Sequence, residues 1–331
     1  MLHRAGDRNP RACRGFTSAG VAGFPAPDAR PPTDCAASLH HACPDGPVNA
    51  RRQAWLLAVP ASSVFVLFSL VPLATVVRYA TWRWSGTAEP VPVGAANLLR
   101  LVRDEALWQS LGTTVLFALM AVPAFLALSL VIALAIEGLR VERFVKALLF
   151  APGLVTVGGS AIAWYLLYNP DFGVLVELTG VRLPWTTQPT AALLYVVLFT
   201  LWQQTGYGVL VMAAALRGIP RAVKEAARID GASEDEVRRY VVIPLLRPTL
   251  AFLTIVGSVL ALQSYTAVFL LTRGGPFGTT RVLGYYLYET AFERFELGYG
   301  AAITLFALAL TLVVAVTQAR VLVGRAAGGA S

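Results

Sequence analysis

Histidine and cysteine are missing from the whole chain beyond residue 50: His3, His40, His41, Cys13, Cys35 and Cys43 are all there are. Their absence from the body excludes disulfides, zinc ligation through His or Cys, and imidazole-based catalysis there. The spacing of Cys35, His40, His41 and Cys43 fits no usual zinc pattern, so no metal site is expected. Charge is scarce as well. Asp, Glu, Lys and Arg make up 14% of 331 residues, against about 25% in soluble domains, while mean hydropathy is +0.62. No GxxxxGK[ST] nucleotide loop occurs, so the chain itself is not expected to hydrolyse ATP or act as an enzyme. The net charge of +8 does not point to nucleic acid, because the basic residues lie between apolar runs instead of on one soluble face.

What the chain has instead is long apolar runs, and the expected solvent is a lipid bilayer. Six stretches reach the roughly twenty residues that a hydrocarbon core of about 30 Å requires: 55–77, 107–136, 147–168, 191–215, 249–271 and 298–319. Helix is the only form open to them, since lipid cannot satisfy free backbone groups. The fold class is therefore an all-α membrane protein of six transmembrane helices within residues 51–325. Residues 1–50, mixed in Pro, Ala, Arg and Asp, read as a disordered tail, or as the result of a start placed upstream of one near Val48.

Nineteen of the 27 Lys and Arg residues fall on the side that carries the N-terminus and eight on the other. The positive-inside rule then puts both termini, and the loop from Arg217 to Arg247, in the cytoplasm. No formal charge remains inside a span. Ion-coupled carriers normally keep such a charge at mid-membrane, so the driving energy is expected from elsewhere.

The loop between spans four and five is polar and helix-forming. Pro220 precedes a first helix on which Ala222, Ala226 and Ile229 recur at helical spacing, and Gly231 suits its C-terminal end. Ser233 with Glu236 predicts a capping box that opens a second helix, with Arg238 and Arg239 near its far end. Two readings stay open on pattern alone: a hairpin that docks against another protein, or an amphipathic helix lying on headgroups.

The run Glu225-Ala226-Ala227, three residues, Gly231, nine residues, then Val241-Val242-Ile243-Pro244 resembles the EAA loop of ATP-binding-cassette importer permeases. Val241 and Ile243 are apolar departures from the usual Ile-x-Leu-Pro ending. Asp230-Gly231-Ala232, the segment LTRGGPFGTT at 271–280, and a polar stretch from Asn97 to Thr114 leading into span two resemble the carbohydrate branch, of the maltose and glycerol phosphate type. Alone, Gly-Gly-Pro is also a plain turn.

That resemblance implies that the loop at 221–244 couples to an ATPase through Glu225, Ala226, Ala227, Asp230, Gly231, Ala232 and Pro244. It implies two ATP-binding subunits holding ATP and Mg, a second homologous permease forming a heterodimer, and an extracellular or periplasmic solute-binding protein. The expected place is the bacterial inner membrane. An ion-coupled secondary transporter is the competing reading, favoured only by Gly- and Pro-rich spans.

Polar groups within spans are costly unless they face a helix or a cavity. Trp202, Gln203 and Tyr207 in span four, and Gln263, Ser264 and Tyr265 in span five, are therefore the expected substrate path. Aromatic faces and amide or hydroxyl groups suit a sugar ring. With no Arg or Lys among them, a neutral sugar or oligosaccharide is expected over a phosphorylated solute such as glycerol phosphate.

Overall fold

The structure, a computed structural model, describes residues 59–60 and 62–323. The tail at 1–50, its Cys and His residues, the basic pair Arg51 and Arg52, Arg325 and the first residues of span one lie outside the described residues. The chain divides into two compact units, and the core lies within the second, residues 66–331.

In chain order the helices are α1 Ser62–Ala80, α2 Ala96–Arg103, α3 Glu105–Ile136, α4 Glu142–Leu154, α5 Val157–Tyr168, α6 Val174–Thr179 and α7 Pro189–Gly218. There follow α8 Arg221–Ile229, α9 Glu234–Leu245, α10 Arg247–Leu262, α11 Thr266–Leu271, α12 Leu283–Tyr288 and α13 Leu297–Leu322. A two-residue antiparallel ribbon pairs β1 Trp82–Arg83 with β2 Val91–Pro92. Four helices (α1, α3, α7 and α13) are long and apolar enough to cross a membrane, and the number rises to six if two bent pairs each make one span.

Those bends depart from the straight spans expected. The third apolar run turns by 97° between α4 and α5. Pro152 and Gly153 weaken the end of α4, Val155 is extended, and the Thr156 hydroxyl accepts the Gly159 N–H to start a new helix. The other bent pair is α9 and α10, which meet at 59° ahead of the fifth run, and that run is itself continuous only to Leu262. Gln263, Ser264 and Tyr265 are non-helical, and α11 resumes at Thr266.

Helix α7 is the centre. It is buried over most of its length, whereas α1 is hardly buried and α13 is buried chiefly in its first turns. It packs along α3 and α4, and α3 packs in turn on α10. Glycines permit these close approaches: a Cβ on Gly206 would stand 2.0 Å from the Leu149 carbonyl oxygen. Aromatic side chains seat α5 on α7, with the Trp164 ring 5.5 Å from Phe199 and 5.4 Å from Trp202. Outward, α3 exposes Val115, Leu119 and Val131, and α13 exposes Leu308, Leu312 and Val313, the surface that hydrocarbon would cover.

A second, smaller core joins the end of α1 to α2, α12 and α13. Asp104 holds it. Its Oδ1 caps α3 by accepting the N–H groups of Ala106 and Leu107, at 3.1 and 3.2 Å. Its Oδ2 accepts the hydroxyls of Tyr286, at 2.6 Å, and Tyr299, at 2.5 Å, both buried rings. Burial pushes this carboxyl up, but the two hydroxyls and two amides outweigh it and hold it below the ordinary carboxylate value.

A depressed folded pKa means that the charged form contributes stability above the unfolded value, about 3.9, and that this is lost as pH falls through the lower folded value. Asp104→Ala is expected to destabilise by about 1–3 kcal/mol for each hydroxyl left unpaired. Asp104→Asn, which keeps a capping oxygen, should cost less. Thermal melts in detergent check both, and the gap between the native protein and Asp104→Asn should close as the pH is lowered beyond about 4.

Candidate functional site: a polar cavity and a two-helix hairpin

Two of the expected substrate-path clusters meet. Gln203 on α7 and Gln263, Ser264 and Tyr265 at the α10–α11 break line one cavity of about 190 Å³. Thr200, Gln204 and Thr266 add polar groups to it, while Val157, Phe199 and Leu260 supply apolar wall. Its lining holds no Lys, Arg, Asp or Glu. The Thr200 hydroxyl already donates to the Val196 carbonyl, 2.8 Å away, which leaves its lone pairs free.

Trp202 and Tyr207 do not share this cavity. Both are exposed, and Trp202 lies against Trp164. Successive residues on a helix point about 100° apart, so a polar run of six cannot face one way. Thr200 is the lining residue that the sequence reading missed, and its signal was its spacing: it stands one turn before Gln203 and Gln204.

The break in the fifth run matters to the site. Where α10 stops, the backbone turns through Gln263 to Tyr265 and presents three consecutive polar residues to the cavity. Gly284 on α12 lies close to this corner, with a Cβ there only 3.1 Å from the Tyr265 Cβ.

The loop after α7 folds as the two helices expected. Helix α8 ends in a left-handed Gly231 with φ +90°. The Gly231 N–H donates to the Arg228 carbonyl and the Ala232 N–H to the Ala227 carbonyl, the paired bonds of a Schellman ending. Ser233 then makes the capping box with Glu236: its hydroxyl accepts the Glu236 N–H while the Glu236 carboxylate accepts the Ser233 N–H at 2.8 Å.

Arg228 clamps Glu234 across the corner at 2.6 and 3.1 Å, so the two helices hold a fixed angle. Glu225, Ala226, Asp230 and Gly231 are exposed, whereas Ala227, Ala232 and Pro244 are half-buried. Buried Val237, Val242 and Leu246 root the hairpin in the main core. Its outward face carries Ile229 and Tyr240, both large, apolar and exposed.

At the other end of the bundle, the segment 272–282 is a tight loop. The Thr272 and Thr280 hydroxyls are 2.8 Å apart, and the Thr280 hydroxyl donates to the Gly275 carbonyl.

Residues 93–323 match the family described as binding-protein-dependent transport system inner membrane component. The chain belongs to that family. Its members' part is transport, not catalysis. A lactose transport system permease protein of Rhizobium radiobacter is 29% identical over 272 residues, 79% of this chain and 90% of the relative. An sn-glycerol-3-phosphate transport system permease protein of Yersinia pseudotuberculosis is 31% identical over 278 residues, 80% of this chain and 92% of the relative. Among solved structures, a chain of a bacterial alginate ABC transporter, crystallised with an alginate pentasaccharide-bound periplasmic protein, superposes with a TM-score of 0.70. That match has 17% identity and covers 82% of this chain and 94% of the other, a likeness of fold. Membership accounts for the apolar helices.

Proposed function

We propose that this chain is one permease half of an ATP-driven, binding-protein-dependent importer for a neutral sugar or oligosaccharide. The carrying observation is the cavity between α7 and the α10–α11 break: amides, hydroxyls and aromatic carbon without a formal charge. Such a lining exchanges hydrogen bonds with sugar hydroxyls and offers nothing to neutralise a phosphate. The relatives include both a lactose and a glycerol-3-phosphate permease, and the uncharged lining supports the neutral sugar.

At about 190 Å³ the cavity is smaller than the ~300–1,000 Å³ of ordinary ligand sites. A second, homologous permease facing it completes the site in this proposal. The proposal has six spans within residues 51–325, supported by the six apolar runs, and both termini in the bacterial cytoplasm, supported by the basic-residue asymmetry. The hairpin at 221–244 then docks on one of two ATPase subunits that hold ATP and Mg, through Glu225, Ala226, Ala227, Asp230, Gly231 and Ala232, with Pro244 turning the chain back into the membrane. A solute-binding protein delivers substrate from outside.

Vesicles reconstituted with the full transporter test this. Labelled neutral sugar should accumulate only with ATP inside the ATPase-bearing compartment. Accumulation driven by a proton or sodium gradient without the ATPase would favour a secondary carrier, and uptake of glycerol phosphate in place of sugar would overturn the substrate class. Gln203→Ala and Gln263→Ala are each expected to lower uptake about fivefold, the equivalent of one lost hydrogen bond near 1 kcal/mol. Normal uptake by both would remove the cavity from the path.

A further inference from the structure

Helix α8 stands off the bundle. None of its residues is buried, and an open cleft of about 450 Å³ separates it from the ends of α3 and α7. Half-buried Ala227 touches the main core, and one charged contact crosses the cleft: Lys224 Nζ donates to Glu137 Oε1 at 2.7 Å. Lys224 keeps only 18% of its side-chain surface exposed, so the contact is sheltered on the lysine side.

Glu137 caps the C-terminal end of α3, where the helix dipole is negative and a carboxylate is unfavourable without a cation. Lys224 is that cation. Five residues on, the elbow between α3 and α4 is tied a second time: Glu142 accepts from Lys146 at 2.7 Å and from Arg217, at the end of α7, also at 2.7 Å. Glu142 is thus engaged with α7 and its own helix, which leaves Glu137 as the elbow's hold on α8. Gly138, with φ +77°, sets the turn between them.

We propose that Lys224 and Glu137 are positioning residues that carry the displacement of α8 to the α3–α4 elbow, so that these two helices move when the hairpin moves. This rests on the hairpin being the ATPase contact. Without the pair, a push on α8 reaches the bundle through the chain at Pro220, through Ala227 against the main core and through Val237 and Val242, with no charged tie to the elbow. Hydrolysis then continues while part of the stroke is lost.

The test compares sugar taken up per ATP hydrolysed in vesicles holding the complete transporter. Lys224→Glu and Glu137→Lys should each lower that ratio about fivefold, what an ion pair of ~1 kcal/mol amounts to, with ATP hydrolysis retained. The double reversal should restore it to within about twofold of the native value. Lys224→Gln, which removes charge without reversing it, should show the same fall, and Lys224→Arg should keep the ratio. A native ratio in Lys224→Gln, or a double reversal no better than its parents, overturns the proposal. Absence of any ATP-driven uptake by the unaltered transporter would instead overturn the permease reading on which the pair depends.

Discussion

Gly231→Pro should abolish ATP-driven uptake while leaving the transmembrane helices assembled. The Gly231 N–H is bonded to the Arg228 carbonyl and its φ is +90°. Proline removes the first and forbids the second, since its ring fixes φ near −65°. A cost of about 3 kcal/mol corresponds to roughly a hundredfold loss of the hairpin geometry. Gly231→Ala is the control. A Cβ there meets nothing within 4 Å, so only the left-handed backbone penalty of about 1–2 kcal/mol remains, and uptake should be reduced but measurable. Glu225→Lys probes the docking face alone: the residue is exposed, so reversing its charge leaves the helix intact and should still stop transport. Uptake by the three variants, beside their yield in membranes and the amount of ATPase that copurifies, checks the set. Native rates in both Gly231→Pro and Glu225→Lys would remove the hairpin from the coupling role.

Gly206→Ala should cost the fold itself. The added carbon would lie 2.0 Å from the Leu149 oxygen and 2.5 Å from its carbonyl carbon. Both are backbone atoms inside α4, so no rotamer change relieves the clash and α7 has to move away. Overpacking of this kind costs about 1–3 kcal/mol or more, which for a chain of this size lowers the melting temperature by roughly 1.5–4 °C. Gly208 gives the contrast. A Cβ there meets the Ser129 hydroxyl at 2.1 Å, an atom that can rotate, then the Phe125 ring at 2.7 Å and the Ser129 Cβ at 2.8 Å, all side-chain atoms and none of them backbone. Gly208→Ala should therefore melt closer to the native protein. Equal melting temperatures for Gly206→Ala and the native chain would mean that α4 and α7 are not as tightly apposed as described.

Much of this was legible in the residues because it is local. Helix ends depend on neighbours within four or five positions, so Gly231 and the Ser233–Glu236 box could be read directly, and the structure has both. The long apolar runs likewise became α1, α3, α7 and α13. What was missed depends on direction or on distance along the chain. Hydropathy averages over a window and does not register a corner, so the run 147–168 gave no hint of a 97° turn beyond Pro152 and Gly153. Trp202 and Tyr207 share composition with Gln203 but not its face. The Lys224–Glu137 pair joins residues 87 positions apart, and counting charges by loop locates neither partner.

Asp104 illustrates a longer separation still, and it sets a condition on how the protein is made. Its tyrosine partners lie 182 and 195 positions later in the chain. At about 5–20 residues per second, a ribosome delivers them some 10–40 s after the aspartate has emerged. For that interval the carboxylate and the first helices must wait at the membrane surface with the smaller core unformed. The last of the described helices is thus the one that closes it, and a nascent chain released before α13 would lack the Tyr299 hydroxyl at the mouth of α3.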